Sequence, residues 1–190
     1  MKGMVIYYSF SGSTAMFAKR LAAEKGWTVK QVTEKKKRTV FGTFIKGTKE
    51  ARRRREAEIA RFKPDWSGIQ AVAVACPIWG GYPAPAFNSI IKLVPKKLPI
   101  ELYFVSGSGS SAASRAETEQ LLKDEGYNIV GYTDVMTKSI APAPTAKQKV
   151  EEAKTEIKEA VAELKEEAAE AVSEIKEEIA EAVEKLKDND

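Results

Sequence analysis

Ser9, Ser11, Ser13 and Thr14 place four hydroxyls around Gly12 in the segment Ser9-Phe10-Ser11-Gly12-Ser13-Thr14. An apolar run, Met4–Tyr8, precedes it, and a helical pattern through Phe17, Ala18, Leu21 and Ala22 follows it. A hydroxyl-rich, glycine-containing turn at the mouth of a helix offers backbone N–H groups, O–H donors and the positive end of the helix dipole. That is the chemistry of a phosphate cradle. The plainer alternative is that Ser11 or Ser13 caps the helix and nothing binds.

Two later loops bear on that choice. Cys76-Pro77-Ile78-Trp79-Gly80-Gly81-Tyr82-Pro83-Ala84-Pro85-Ala86-Phe87-Asn88 follows the strand-like run Ile69–Ala75. Ser106-Gly107-Ser108-Gly109-Ser110-Ser111 follows Leu102–Val105. Near-continuous apolar strands alternating with helical stretches imply a parallel sheet covered on both faces. Ligands of such sheets bind beyond the carboxyl ends of the strands. The first loop suits phosphate, Trp79 and Tyr82 offer flat apolar walls, and the third loop is rich in backbone donors. Packing within the loop is the alternative for the two rings. The Gly80-Gly81 pair and the prolines beyond it favour an exposed, rigid ligand wall. A planar, phosphorylated ligand fits all three loops.

With these residues in view, the chain resembles the flavodoxin-like family. The segment from Ser9 to Thr14 is similar to that family's FMN phosphate loop, Thr-x-Thr-Gly-x-Thr, with Ser9 and Ser11 in place of the first two threonines and both hydroxyls kept. Pro77 to Asn88 is similar to the Pro-x-Trp-x-Gly-x-Pro-Ala-Pro loop of small single-domain flavodoxins and related FMN reductases. The resemblance covers roughly residues 1–140. It implies an α/β, doubly wound, five-stranded parallel sheet in the order 2-1-3-4-5. It implies that Ser9, Ser11, Gly12, Ser13 and Thr14 hold the FMN phosphate. Pro77, Trp79, Gly80 and Tyr82 would border the isoalloxazine ring, and Ser106, Gly107, Ser108 and Gly109 would close over its far edge.

Composition narrows the chemistry. The 190 residues contain no histidine, which excludes imidazole acid–base catalysis, histidine-based nucleophile systems and histidine metal sites. A flavin brings its own redox chemistry, so the missing histidine favours that reading, and no side chain stands out as a catalytic residue. Cys76 is the single cysteine, so no intramolecular disulfide can form; at the end of a buried strand it reads as a small apolar filler. No run is apolar and long enough to span a bilayer and no signal-peptide pattern is present, so a cytoplasmic location is expected.

Strands are expected near Met4–Tyr8, Thr28–Thr33, Ile69–Cys76, Ile100–Ser106 and Asn128–Met136. Helices are expected near Ser13–Lys25, Pro85–Leu93 and Ser111–Glu125, with Gly126-Tyr127 as a helix stop. The long connection from Glu34 to Trp66 contains the run Val40-Phe41-Gly42-Thr43-Phe44-Ile45 and a charged helix expected from about Thr48 to Arg61.

Charge is uneven. Residues 147–190 carry 8 Lys against 15 Asp and Glu, a net of −7, which leaves +11 on residues 1–146 of a chain whose formal net is +4. Between Lys30 and Lys63, 13 Lys and Arg face 4 Glu, with the runs Lys35-Lys36-Lys37-Arg38 and Arg52-Arg53-Arg54-Arg55. A solvated face and a docking surface explain this block equally well. Nucleic acid ranks below both, because no aromatic ladder is interleaved. Electron-carrying flavodoxins are typically acidic, so the basic body points to a different partner: an acidic ferredoxin-like protein or NAD(P)H.

Beyond Pro142-Ala143-Pro144, the residues Thr145-Ala146-Lys147-Gln148 form a capping box. Val150, Val161, Val172 and Val183 then mark an 11-residue repeat, shared by Ala153, Leu164, Ile175 and Leu186. Such a period gives a nearly straight or weakly right-handed stripe. The helix would run about 65 Å at 1.5 Å per residue, against a diameter of roughly 38 Å for the preceding domain. The expected division is therefore 1–144 for the FMN-binding domain and 145–190 for a long helical extension. Self-association through the stripe is the leading role for the extension, with a lone solvated helix close behind. Docking onto the basic block is a further alternative. An acidic polar face disfavours a membrane.

Taken together, the chain reads as an FMN-binding electron carrier. The alternatives are an NAD(P)H-dependent FMN or quinone reductase, and a cofactor-less protein that assembles through its basic segment and C-terminal helix.

Overall fold

The computed structural model describes residues 1–36, 38, 46–140, 154, 158, 161, 162 and 165. The chain divides into two compact units. One comprises Met1–Arg38 with Gly42–Pro144 and holds the sheet; the other comprises Thr39–Phe41 with Thr145–Asp190. In the second, the described residues Lys154, Lys158, Val161, Ala162 and Lys165 are helical. The run Val40–Ile45 and most of the 11-residue repeat lie outside the described residues.

In the first unit the apolar runs pair as strands. β1 (Gly3–Tyr7) leads through α1 (Ser13–Lys25) to β2 (Thr28–Gln31). A short α2 (Thr48–Arg52) precedes β3 (Ala71–Trp79) and the two-residue β4 (Tyr82–Pro83). Then follow α3 (Pro85–Ile91), β5 (Pro99–Ser106), α4 (Arg115–Asp124) and β6 (Asn128–Met136). The parallel strands lie in the order β2-β1-β3-β5-β6, with β4 antiparallel on β3. With that hairpin strand set aside, this is the expected order 2-1-3-4-5, the flavodoxin-like one.

The alternation in β3 sorts side chains by size. Ala71, Ala73 and Ala75 face α1 together with Val5, Tyr7, Phe17, Ala18 and Leu21. Val72, Val74 and Cys76 face the other layer, with Phe87, Ile90, Phe104 and Leu122. Period two in a strand puts successive side chains on opposite faces, so both faces of β3 are apolar and its residues Val72–Cys76 are all 0% exposed. Phe104 is central to the second layer, with its ring 5.1 Å from Phe87 and 4.9 Å from Tyr132. The stop at Gly126 forms as expected: its φ is 84°, and Tyr127 N–H donates to Leu122 O at 2.9 Å.

Three boundaries differ from expectation by more than two residues. The helix expected to reach Arg61 ends at Arg52, and Arg54 turns into the left-handed region with φ 53°. Tertiary partners take over the backbone there. Asn88 Nδ2 donates to Arg55 O at 2.8 Å, Ser89 Oγ to Ala57 O at 2.7 Å, and Ala60 N–H to Thr33 O at 2.8 Å. These bonds satisfy groups that a longer helix would have bonded internally, and Ile59 bridges antiparallel to Glu34. α4 starts at Arg115 because Ser111–Ser114 close a turn of their own, with Ser114 N–H on Ser111 O at 2.9 Å. β3 continues past Cys76 to Trp79 because Pro77 still pairs with Val105, and Ile78 and Trp79 pair with β4.

Replacing Phe104 with Ala should cost about 3–5 kcal/mol, read as a lower midpoint in urea unfolding with an unchanged slope. Burial pushes the Cys76 thiol from 9.0 up to about 12. The unfolded chain therefore gives up that proton first, and this group makes stability fall as pH rises from about 9 toward 12. The native protein should leave Cys76 unreacted with a thiol reagent at pH 8, and urea should expose one reactive thiol.

Candidate functional site

β1, β3 and β5 all release their chains at the same edge of the sheet, since Tyr7 lies beside Ala75 and Pro77 beside Val105. The loop after β1 begins at buried Tyr8, whose N–H reaches Ala75 O at 3.1 Å. Ser9 Oγ accepts the Gly12 N–H at 3.1 Å and shapes the loop from within. Gly12 is the residue before α1, with φ 96° and ψ −25°, and no side chain caps the helix. A left-handed backbone of this kind favours glycine. The first-turn amides therefore point out of the helix end together with its dipole, and no acidic residue stands in that turn. Ser11 is exposed, Ser13 half-buried and Thr14 buried. A Cβ on Gly12 would meet no atom within 4 Å, so the loop borders open space.

The second loop is a tight hairpin. Trp79 pairs with Tyr82 across Gly80 and Gly81, whose φ values of 55° and 87° define a mirror-image turn that glycine adopts without strain. Trp79 is held on several sides. Its ring packs edge-on with Tyr8 at 6.1 Å and with Phe10 at 6.0 Å, and the Arg38 guanidinium lies 5.4 Å from its centroid. Arg38 is itself fixed by Glu34 Oε2 at 2.6 Å and Glu50 Oε2 at 2.7 Å. Among the described residues Glu34 Oε1 is buried without a partner. Burial pushes the Tyr8 hydroxyl well above its usual pKa, and Glu34 adds to the rise while Arg38 opposes it. Tyr82 carries the Arg54 guanidinium 5.1 Å from its ring centroid, and Arg54 also pairs with Glu117 at 3.1 Å.

The third loop turns on Ser106, whose Oγ accepts the N–H groups of Gly109 at 2.9 Å and Ser110 at 3.3 Å. Gly109 has φ 66° and lies against Met136, where a Cβ would come within 2.9 Å. Gly107 borders open space. Ser114 Oγ donates to Gly81 O at 2.7 Å and ties this loop to the hairpin. Ser111 Oγ bonds the Tyr132 hydroxyl at 2.7 Å, and burial pushes that hydroxyl up to about 12.

The three loops are thus joined in sequence. Phe10 and Tyr8 on Trp79 link the first to the second, and Ser114 on Gly81 links the second to the third. A cleft of about 460 Å³ opens beside the first loop, lined by Tyr8, Ser9, Phe10, Val32 to Lys36 and Arg38. Sequence reasoning passed over Tyr8, Phe10, Arg38, Arg54 and Ser114. Phe10 lay inside the hydroxyl motif and Arg54 inside the arginine run, but their pairings join residues far apart in the chain. Among the described residues no cluster of metal-ligating side chains occurs, and no helix is long and apolar enough to cross a membrane.

No family model matches the sequence, and no curated protein matches it. Solved structures do. A flavoprotein from Lactobacillus acidophilus NCFM, in complex with FMN, superposes with a TM-score of 0.59 at 21% identity, over 73% of this chain and 94% of that one. Its apo form gives 0.52 at 22% identity, over 70% and 93%. A protein of Bacteroides eggerthii DSM 20697 assigned as a flavoprotein gives 0.62 at 19%, over 73% and 92%. At these identities the likeness is one of architecture. Together with the strand order, it establishes that this chain has the flavodoxin-like fold.

Proposed function

We propose that the protein binds FMN non-covalently at the edge formed by the three loops and carries electrons between partners. One observation supports this above the others. An uncapped helix N-terminus with Gly12 in a left-handed turn stands beside an aromatic hairpin, in a fold shared with an FMN-complexed flavoprotein. The donor set fits the group: a phosphate would meet amides, hydroxyls and a helix dipole, with no carboxylate in the first turn to repel it.

In this reading Ser11, Gly12, Ser13 and Thr14 hold the phosphate, and Ser9 keeps the loop in shape through Gly12. Pro77, Trp79, Gly80 and Tyr82 border the ring, with Arg38 and Arg54 fixing the two aromatic side chains. Ser106 to Gly109 lie along the opposite edge, where backbone N–H groups stabilise negative charge and so set the potential. Bound flavin supplies the electron chemistry itself. Cys76 takes no part, since burial keeps its thiol protonated. A reducing compartment such as the cytoplasm suits a chain with one free cysteine.

Titration with FMN should quench flavin fluorescence with an end point at one equivalent. Riboflavin, which lacks the phosphate, should bind at least about a hundredfold more weakly, because two charge-assisted hydrogen bonds at about 1.5–3 kcal/mol each are lost. Ser11→Glu sets a like charge at an exposed position of the phosphate loop. It should weaken FMN at least about tenfold and leave riboflavin unchanged. A protein that ignores excess FMN would sink the reading. Sustained NAD(P)H oxidation with turnover would assign a reductase instead of a carrier.

A further inference from the structure

We propose that the exposed cations of α2 and the turn after it are the docking surface for an acidic redox protein that exchanges electrons at the neighbouring loops. The proposal rests on the flavin reading for the electron exchange and on charge geometry for the docking.

The arginine run serves two separate purposes. Arg54 is turned inward by its φ of 53°, with its guanidinium on Tyr82 and Glu117 and only 17% of its side chain exposed. Arg52, Arg53 and Arg55 are exposed, as are Lys46 and Lys49. The carboxylates around them are engaged elsewhere. Glu34 and Glu50 pair with Arg38, Glu56 with Lys92, Glu58 with Lys35 and Glu117 with Arg54. Among the described residues none of the five exposed cations has a carboxylate partner. Five positive charges between positions 46 and 55 therefore repel one another, and among the described residues the one net negative charge of the Glu34–Arg38–Glu50 triad offsets them only in part, so the stretch stays positive.

Position decides what that field is for. α2 rests on the tip of the hairpin: a Cβ on Gly80 would collide with Thr48 Cγ2 and lie 3.7 Å from Arg52 Nε. Arg52 thus lies against the turn between Trp79 and Tyr82, and the other four cations lie within six residues of it along the chain. A partner drawn to them arrives beside the proposed ring site, which electron exchange requires. Two other anionic partners fit less well. A single-stranded nucleic acid needs aromatic faces interleaved with the cations, and positions 46–55 contain no aromatic residue. A membrane surface needs apolar anchors. Among the described residues the exposed large apolar side chains are Met1, Met16, Val29, Leu121, Val130, Met136 and Val161, none of them in this stretch.

The test uses the full chain and an acidic [2Fe–2S] ferredoxin as the protein probe. Binding should be tight at low ionic strength and should weaken at least about tenfold in 0.3 M salt or in the variant Lys49→Glu/Arg53→Glu/Arg55→Glu. The variant should melt no lower than wild type, and ferredoxin binding by the neutral version Lys49→Gln/Arg53→Gln/Arg55→Gln should fall between wild type and the charge-reversed variant. A small-molecule arm reads the field directly. Two ferricyanide ions take the two electrons of each reduced flavin, with its protons passing to solvent. That rate should drop about tenfold in the triple variant at low salt, while the rate with the cationic hexaammineruthenium(III) rises. Ferredoxin binding that is absent, or equal in wild type and variant, overturns the docking surface. So does tighter binding of single-stranded DNA or phosphatidylserine vesicles than of ferredoxin. A chain that takes up no FMN overturns the flavin reading alone, because ferredoxin binding is measured without flavin.

Discussion

Everything in this molecule depends on the burial of β3 on both faces. A strand with protein on each side has no water to satisfy its backbone, so its N–H and C=O groups must pair with neighbours in register. β1 and β5 supply that pairing, and both run parallel to it. Parallel neighbours cannot be joined by hairpins, so every return crosses the sheet through other structure. The outcome is that the loops after β1, β3 and β5 leave from one edge. The chemistry of the site is a by-product of how the centre of the sheet satisfies its hydrogen bonds.

What turns three adjacent loops into one site is a short chain of polar and aromatic contacts. Arg38 is the hub on one side, held between two glutamates while it lies over Trp79. Arg54 is the hub on the other, shared between Tyr82, Glu117 and the Ser114 carbonyl. Both guanidiniums are planar and can hold a carboxylate and an aromatic face at once, which an ammonium does less well. Glu34 contributes one oxygen to this arrangement and, among the described residues, leaves the other buried and unpaired. A buried orphan acceptor is costly. It stands at the wall of the cleft beside the hydroxyl loop.

The sheet was legible in the sequence because its signals are local. Apolar runs, the Gly126 stop and the Ser9–Thr14 turn each announce themselves within a few residues, and the strand order came from the motif resemblance. The end of α2 was not legible in the same way. Residues 53–61 have a helical composition, yet their backbone is claimed by Asn88 and Ser89 from α3 and by Thr33, between 27 and 33 positions away. The same holds for the site. The glycines and aromatics of the hairpin are visible as letters, but the guanidinium over each ring is not, because no local pattern pairs Arg38 with Trp79 or Arg54 with Tyr82. Basic runs say only that charge is present. Which arginine turns inward is settled by a backbone angle.

That angle has an evolutionary reading. Position 54 adopts a conformation that glycine would occupy with less strain, and the left-handed backbone costs an L-residue roughly 1–2 kcal/mol. Arginine there gains its contacts with Tyr82 and Glu117 at the expense of its main chain. The position is thus a trade between robustness and site geometry. A laboratory selection for heat tolerance alone should drift toward glycine or asparagine at 54, and the aromatic hairpin would loosen as the fold grew sturdier.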